Sequence, residues 1–168
     1  NKPPSLLNPL NVPIIFLCED NGTGISVPTQ EGWIKDNFSN KTGIQYIQTD
    51  GLHLVDLVTK TKEAEEICRK QRCPIFLHMK TVRLMGHAGS DIEVGYKSLS
   101  DIEKTEFNDP LLHSARIILE KECLTSSEIL SLYEKTRKQI SFVFDSAVLR
   151  PYLLKSEDVM SAIEANKY

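Results

Sequence analysis

The chain has 168 residues, of which 40% are hydrophobic and 26% charged, a composition typical of a folded globular protein rather than a disordered one. With 20 Lys and Arg residues against 23 Asp and Glu, the formal net charge is −3, which argues against a nucleic-acid-binding surface because such surfaces are basic. No apolar run approaches the roughly 20 residues of a membrane-spanning helix, so we expect no membrane segment.

The cysteines and the first residues of the chain favour a reducing compartment. The four cysteines are scattered and form no C-x-x-C pair, which predicts reduced structural thiols and no zinc site. Residues 1–11 are rich in Pro and Asn and lack both the basic flank and the apolar run of a signal peptide. They therefore predict a loop or linker.

Three apolar runs predict the strands of a sheet. Residues 12–18 are continuously apolar, which predicts a strand buried on both faces, and a long irregular stretch is expected over residues 25–43. Residues 44–47 predict a short strand, residues 54–71 an amphipathic helix, and residues 74–79 another buried strand. Strand, helix and strand together predict a parallel βαβ unit, so the fold class is α/β.

Helical signals dominate after residue 97. Asp109 and Pro110 fit the N-cap and first position of a helix, and Thr125 with Glu128 forms a capping box that begins a long helix. That helix should end before Pro151, and residues 156–165 predict one more short helix. The side chains predicted to form the buried stripe of the long helix are Ile129, Leu132, Tyr133, Thr136, Ile140, Val143, Phe144 and Ala147.

Two polar loops follow the first and third predicted strands, at residues 19–24 and 81–91. If the strands are parallel, both loops lie at the carboxyl edge of the sheet, where ligands bind in open α/β folds. The Asn21 amide and a nearby backbone carbonyl offer oxygen ligands for Mg²⁺, Arg83 can bind phosphate, and His87 can exchange protons near neutral pH. Taken alone, each residue is more often part of an ordinary turn or a solvated side chain, but together they suggest a diphosphate site.

Two motifs extend this interpretation by resemblance. F-L-C-E-D-N-G-T-G-I-S-V-P-T, residues 16–29, resembles the second half of the thiamine-diphosphate-binding motif. P-I-F-L-H-M-K-T-V-R-L-M-G-H-A-G-S-D, residues 74–91, resembles the T-x-R-x-x-G-H-x-x-x-D loop of the same family. The family is the alpha chain of 2-oxoacid dehydrogenase first components, with pyruvate, branched-chain and acetoin members. The resemblance covers nearly the whole chain, and G-W-I at residues 32–34 looks most like proteins that fuse alpha and beta chains.

The resemblance implies a fold and a set of site residues. The chain would be the C-terminal part of the domain that binds diphosphate and Mg²⁺, within a mostly parallel sheet with flanking helices: a linker over 1–11, the α/β part over 12–97 and a helical segment over 98–168. Asn21, through its side chain, and Thr23, through its carbonyl, would bind Mg²⁺. His87 would be catalytic, assisting acyl transfer to a lipoyl group, and Asp91 would order its loop. The residues implied in binding the thiamine diphosphate are Gly22, Ile25, Arg83 and His87.

The family also implies partners and alternatives. A beta chain or beta-like domain would supply the glutamate that activates the cofactor, and a lipoyl-bearing acyltransferase would accept the acyl group, in a heterotetramer or a homodimer of fused chains. The location would be the bacterial cytoplasm or the mitochondrial matrix. The opening G-D-G of the motif is not in this sequence. That departure leaves open the alternative of a non-catalytic structural or assembly module. Acetoin dehydrogenase is a further alternative, as is a transketolase-like enzyme, against which the R-x-x-G-H loop argues.

Overall fold

A computed structural model describes residues 12–161 of the chain. The linker predicted over residues 1–11 lies outside the described residues, as does the end of the helix predicted over 156–165. The strands are β1 (Ile15–Asp20), β2 (Thr23–Gly24), β3 (Val27–Pro28), β4 (Gln45–Asp50) and β5 (Ile75–Lys80). The helices are α1 (Trp33–Phe38), α2 (Leu54–Gln71), α3 (Leu99–Phe107), α4 (Pro110–Glu120), α5 (Ser126–Val148) and α6 (Ser156–Met160). The chain divides into two compact units, the first ending at Lys121 and the second beginning at Glu122.

The larger sheet is parallel, with the strand order β1-β5-β4. The predicted βαβ unit is confirmed, because β4 and β5 are adjacent parallel strands connected by α2. Each strand extends further toward the carboxyl edge than its apolar run suggested. Asp20 of β1 and Asp50 of β4 both pair with Lys80 of β5, so the strands end in polar residues. Hydrogen bonding in the ladder involves the backbone and does not require an apolar side chain.

The core of the first unit lies between the sheet and α2. His53 caps this helix, its ring Nδ1 accepting the N–H of Asp56 at 3.1 Å, and the helix ends at Arg72 in the left-handed region. The predicted range of 54–71 is confirmed. The buried apolar side chains of the core are Ile47, Ala64, Cys68, Ile75 and Leu77.

The prediction that the first strand is buried on both faces is wrong for this chain. Phe16 is 47% exposed and Leu17 is 52% exposed. The reason is that α2 packs mainly against β5 and β4, whose Ile47 and Thr49 are buried although β4 is also an edge strand, and covers little of β1. The apolar side chains of β1 are therefore largely exposed within the described residues.

The stretch expected to be irregular over residues 25–43 contains regular structure. The strands β2 and β3 form a small antiparallel hairpin, and α1 follows it. Phe38, at the end of α1, stacks on Phe76 of β5 with ring centroids 4.4 Å apart. This aromatic contact fixes α1 against the face of the sheet opposite α2, a long-range effect that no local sequence pattern signals.

The helices after residue 97 mostly begin where the sequence predicted. Asp109 caps α4 with Pro110 at its first position, and Thr125 forms a capping box with Glu128 at the start of α5. The buried stripe predicted on α5 is wrong, because Leu132 and Tyr133 are each 54% exposed and Phe144 is 65% exposed. None of the helices within residues 12–161 is long and apolar enough to cross a membrane.

Candidate functional site

The three parallel strands end level with one another. Asp20, Lys80 and Asp50 are paired in register at the carboxyl ends of β1, β5 and β4. The segments that follow these strands therefore leave the sheet at one edge. This confirms the expectation that the loops after the first and third predicted strands share one edge of the sheet.

The segment after β1 is a tight turn held by its own side chains. Asp20 Oδ1 accepts the Gly22 N–H at 2.9 Å, and Asn21 Oδ1 accepts both the N–H and the hydroxyl of Thr23, at 3.0 and 2.8 Å. Gly22 has a φ of 74°, a left-handed conformation that favours glycine. Its carbonyl accepts the N–H of Thr29 at 2.9 Å, which closes the β2–β3 hairpin onto the turn.

Ile25 lies in the connection between β2 and β3. Its φ of 60° is unusual for a β-branched side chain and indicates local backbone strain. The side chain is 61% exposed, so burial does not compensate this strain within the described residues. A strained, exposed apolar side chain next to the Gly22 turn is a feature that functional sites often retain.

Two neighbouring cavities lie beside this turn, with volumes of about 400 and 330 Å³. Asn21, Thr81, Val82 and Arg83 line both of them. The second cavity is also lined by Thr23 and by residues from the segment around α3, namely Lys97, Lys104, Thr105 and Asn108.

Arg83 gives these cavities their chemical character. Its Nε is buried and has no hydrogen-bond partner among the described residues. A buried guanidinium N–H without an acceptor is costly, so the site is incomplete without an acceptor group. Lys97 and Lys104 also line the second cavity, but each is paired with a carboxylate, that of Glu93 at 2.6 Å and that of Asp101 at 3.4 Å. Arg83 is therefore the group whose chemistry fits an anion such as a phosphate or diphosphate.

The loop after β5 is organised around Asp91. Its Oδ2 accepts the backbone N–H of His87 at 2.7 Å and the hydroxyl of Tyr96 at 2.8 Å. The His87 N–H and the Tyr96 hydroxyl hold the pKa of Asp91 below its ordinary value despite the opposing effect of burial. Gly86 packs so closely against the Asp91 carbonyl that a Cβ at this position would overlap it. Asp91 therefore joins the two ends of the loop.

The predicted site residues are brought together only in part. Asn21, Thr23 and Arg83 share a cavity, whereas His87 is exposed and is not among the residues that line either cavity. Gly22 and Ile25 belong to the same turn and hairpin but do not line these cavities. The sequence reasoning missed Lys97 and the residues from α3, although the Ser98 N-cap with Asp101 three residues later was a local signal for that helix.

The side-chain and carbonyl oxygens of the turn are of the ligand type that a hard cation such as Mg²⁺ prefers. Within residues 12–161, no cluster of three or more His, Cys, Asp or Glu side chains could hold a metal ion, so a cation here would depend on amide and carbonyl oxygens. The Asn21 oxygen already accepts two bonds from Thr23. Coordination of an ion by this oxygen would require the Thr23 hydroxyl, a freely rotating donor, to turn away.

Comparison with known proteins identifies the family to which this chain belongs. The family model described as dehydrogenase E1 component matches residues 6–153. The chain is 25% identical over 142 residues to the mitochondrial pyruvate dehydrogenase E1 component subunit alpha of Dictyostelium discoideum, covering 83% of this chain and 38% of that protein. It is 29% identical over 145 residues to the mitochondrial 2-oxoisovalerate dehydrogenase subunit alpha of Caenorhabditis elegans, covering 84% of this chain and 33% of that protein.

A bacterial relative is similar at the same level. The chain is 26% identical over 150 residues to the pyruvate dehydrogenase E1 component subunit alpha of Rickettsia prowazekii, covering 88% of this chain and 45% of that protein. The chain therefore spans between a third and a half of the length of these relatives.

Proposed function

Because this chain belongs to the dehydrogenase E1 component family, we propose that it forms part of an enzyme for the thiamine-diphosphate-dependent oxidative decarboxylation of a 2-oxoacid, with acyl transfer to lipoamide. The substrate is pyruvate or a branched-chain 2-oxoacid, since relatives with either name match the chain. The observation that carries the proposal is the buried Nε of Arg83, which has no hydrogen-bond partner among the described residues, in a cavity beside the Asn21–Thr23 turn.

In this proposal the chain is the C-terminal part of the domain that binds Mg²⁺ and the diphosphate. Arg83 donates to the diphosphate and thereby satisfies its buried Nε. The Asn21 side-chain oxygen and the Thr23 carbonyl bind Mg²⁺. Gly22 adopts the positive φ that this turn needs, which a side chain would strain, and the space beside it is open to the cofactor. Ile25, in the connection that follows this turn, would also contact the cofactor.

When bound, thiamine diphosphate supplies the nucleophilic carbon that attacks the keto group and accepts the electrons released as CO₂ leaves. The protein orients the reacting groups and moves protons. We assign to His87 the donation of a proton to the lipoyl sulfur that leaves when the S–S bond of lipoamide breaks. The exposure of this side chain suits a role toward a large substrate that arrives from solution.

The proposed partners follow from the family and from exposed apolar surface. A beta chain or beta-like domain supplies the activating glutamate, and a lipoyl-bearing acyltransferase receives the acyl group. The apolar side chains exposed on β1 and α5, which the sequence pattern suggests are buried, support contact with further protein. We place the enzyme in the bacterial cytoplasm or the mitochondrial matrix, since two relatives are named as mitochondrial and a third is bacterial.

The test is cofactor binding by the complete protein assembled with its partner. Calorimetric titration with thiamine diphosphate should show binding that requires Mg²⁺, and Arg83→Met should weaken it by about 10- to 100-fold, because hydrogen bonds to charged groups contribute about 1.5–3 kcal/mol. Arg69→Met is the matched control, since Arg69 is exposed on α2 and pairs with Glu65. If the wild-type protein binds no cofactor, the alternative of a non-catalytic module is correct. Turnover of acetoin but of no 2-oxoacid would instead indicate an acetoin dehydrogenase.

A further inference from the structure

A buried hydrogen-bond network joins all three parallel strands beneath the candidate site. His78, on the central strand β5, is only 3% exposed. Its Nε2 lies 2.8 Å from Asp20 Oδ2 at the end of β1, and its Nδ1 lies 2.6 Å from the Tyr46 hydroxyl on β4. Both ring nitrogens of a buried imidazole are thus satisfied by side chains from the neighbouring strands.

Asp20 connects this network to the turn that contains the proposed metal ligands. Its two carboxylate oxygens have different partners: Oδ2 accepts the His78 Nε2–H, and Oδ1 accepts the N–H of Gly22 at 2.9 Å. Burial raises the pKa of Asp20, but the Gly22 and His78 bonds together outweigh burial, so its pKa lies below the ordinary value. The carboxylate therefore stays charged and acts as an acceptor on both sides.

We propose that His78 is a positioning residue for the turn over residues 21–23: by donating from Nε2 it fixes the Asp20 carboxylate, and this carboxylate in turn fixes the Gly22 amide between Asn21 and Thr23. The Tyr46 hydroxyl lies 2.6 Å from Nδ1 and 3.1 Å from Gln48 Oε1, and when it donates to the nearer Nδ1 the ring proton lies on Nε2, facing Asp20. The inference that the turn so held binds Mg²⁺ rests on the proposed function. The inference that His78 holds the turn does not.

The chain offers a matched pair of variants for this proposal. The amide nitrogen of Gln at position 78 can occupy the place of Nε2 and donate to Asp20. The shorter Asn reaches only as far as Nδ1 and loses the bond to Asp20. By the same reach, Asn can still meet the Tyr46 hydroxyl whereas Gln gives up that contact, so the two substitutions separate the Asp20 bond from the Tyr46 bond at one buried position. Leu77→Val is the control for stability, because Leu77 is the adjacent buried residue on β5 and points to the opposite face.

The first measurement is hydrogen exchange, followed by mass spectrometry, of a peptide covering residues 19–24 in the complete protein. His78→Asn should accelerate exchange in this peptide by about 10-fold, the order expected for loss of one hydrogen bond to a charged group, whereas His78→Gln and Leu77→Val should leave it within about 2-fold of wild type. The proposal is overturned if His78→Asn exchanges like Leu77→Val, or if His78→Gln is as impaired as His78→Asn.

The second measurement is the Mg²⁺ dependence of thiamine diphosphate binding by the same variants. Loss of a partner that orients a metal ligand typically weakens metal affinity by about 10- to 100-fold, so His78→Asn should require about that much more Mg²⁺ and His78→Gln should not. An unchanged Mg²⁺ requirement in His78→Asn would show that the network does not serve the site. If the wild-type protein shows no Mg²⁺-dependent binding, the proposed function fails, and the exchange measurement alone decides whether His78 holds the turn.

Discussion

The Asp91 carboxylate accepts the backbone N–H of His87 at a distance of 2.7 Å, so the residue proposed to transfer a proton is held by its main chain and not by its ring. The same oxygen accepts the hydroxyl of Tyr96, which itself lies 3.5 Å from Arg83 Nη2. One carboxylate thus connects the loop that carries His87 to the side chain proposed to bind the diphosphate. Among residues 12–161 no hydrogen bond is recorded for the imidazole, which is exposed and can meet a substrate.

The first prediction concerns the order of this loop at low pH. The His87 N–H and the Tyr96 hydroxyl hold the pKa of Asp91 below its ordinary value of 3.8. Because the pKa is lower in the folded state than in the unfolded state, the contribution of Asp91 to stability is complete above that value and is lost as the pH falls through the lowered one.

Hydrogen exchange in a peptide covering residues 86–97, corrected for intrinsic rates, should therefore accelerate below about pH 4, before a peptide from α2 does. Asp91→Asn keeps an oxygen that can accept both bonds but does not titrate in this range, so its exchange should not change with pH there. A loop that opens together with α2, or an Asn variant with wild-type pH dependence, would contradict the assignment to Asp91.

The second prediction compares two glycines of the same loop. A Cβ at Gly86 would overlap the Asp91 carbonyl, whereas a Cβ at Gly89 would meet nothing within 4 Å. Gly86→Ala should displace the loop, and we expect it to reduce acyl transfer to lipoamide by at least about 10-fold, the order expected when reacting groups are misplaced. Gly89→Ala should retain nearly full activity. Equal activity of the two variants would show that the close contact at Gly86 does not matter for the loop.

The third prediction separates a side-chain ligand from a backbone ligand. Asn21→Ala removes the amide oxygen proposed to bind Mg²⁺, and because Mg²⁺ requires near-octahedral geometry, the Mg²⁺ concentration needed for cofactor binding should rise by at least about 10-fold. Thr23→Val removes a hydroxyl that competes for the Asn21 oxygen but keeps the backbone carbonyl. Its Mg²⁺ requirement should be unchanged or lower, as measured by calorimetry at a series of Mg²⁺ concentrations. An Asn21→Ala protein with the wild-type requirement would remove Asn21 from the metal site.

The fourth prediction tests the catalytic role of His87. General acid catalysis typically contributes about 10²- to 10⁴-fold, so His87→Ala should reduce transfer to lipoamide by about that factor. Decarboxylation measured with an artificial electron acceptor should fall much less, because that reaction does not involve the lipoyl sulfur. The melting temperature should stay close to that of wild type, since the His87 side chain is exposed. Equal losses in both assays, together with a lower melting temperature, would indicate a structural role instead.

Local signals in the sequence were sufficient for the elements that depend on local interactions. The start of α4 at Pro110 and the capping box of α5 were predictable because the N-cap side chain bonds to an amide two or three residues away. The motifs that contain Asn21 and Arg83 could also be recognised, because each is a continuous run of residues. The parallel βαβ unit followed from the order of its elements.

Burial and long-range pairing were decided only by the tertiary structure. The apolar run of β1 could not show that its strand lies at the edge of the sheet, and the stripe of α5 could not show that its side chains remain exposed in this chain. His78 gave no sequence signal, because its partner Asp20 lies 58 positions away and meets it only when β1 and β5 pair. Capping and periodicity are determined by residues within one or two turns, so the sequence alone predicted the helices and strands. The surroundings of a side chain depend on strand order and on the surfaces that pack against it. For that reason only the tertiary structure determined the hydrogen-bond network of His78.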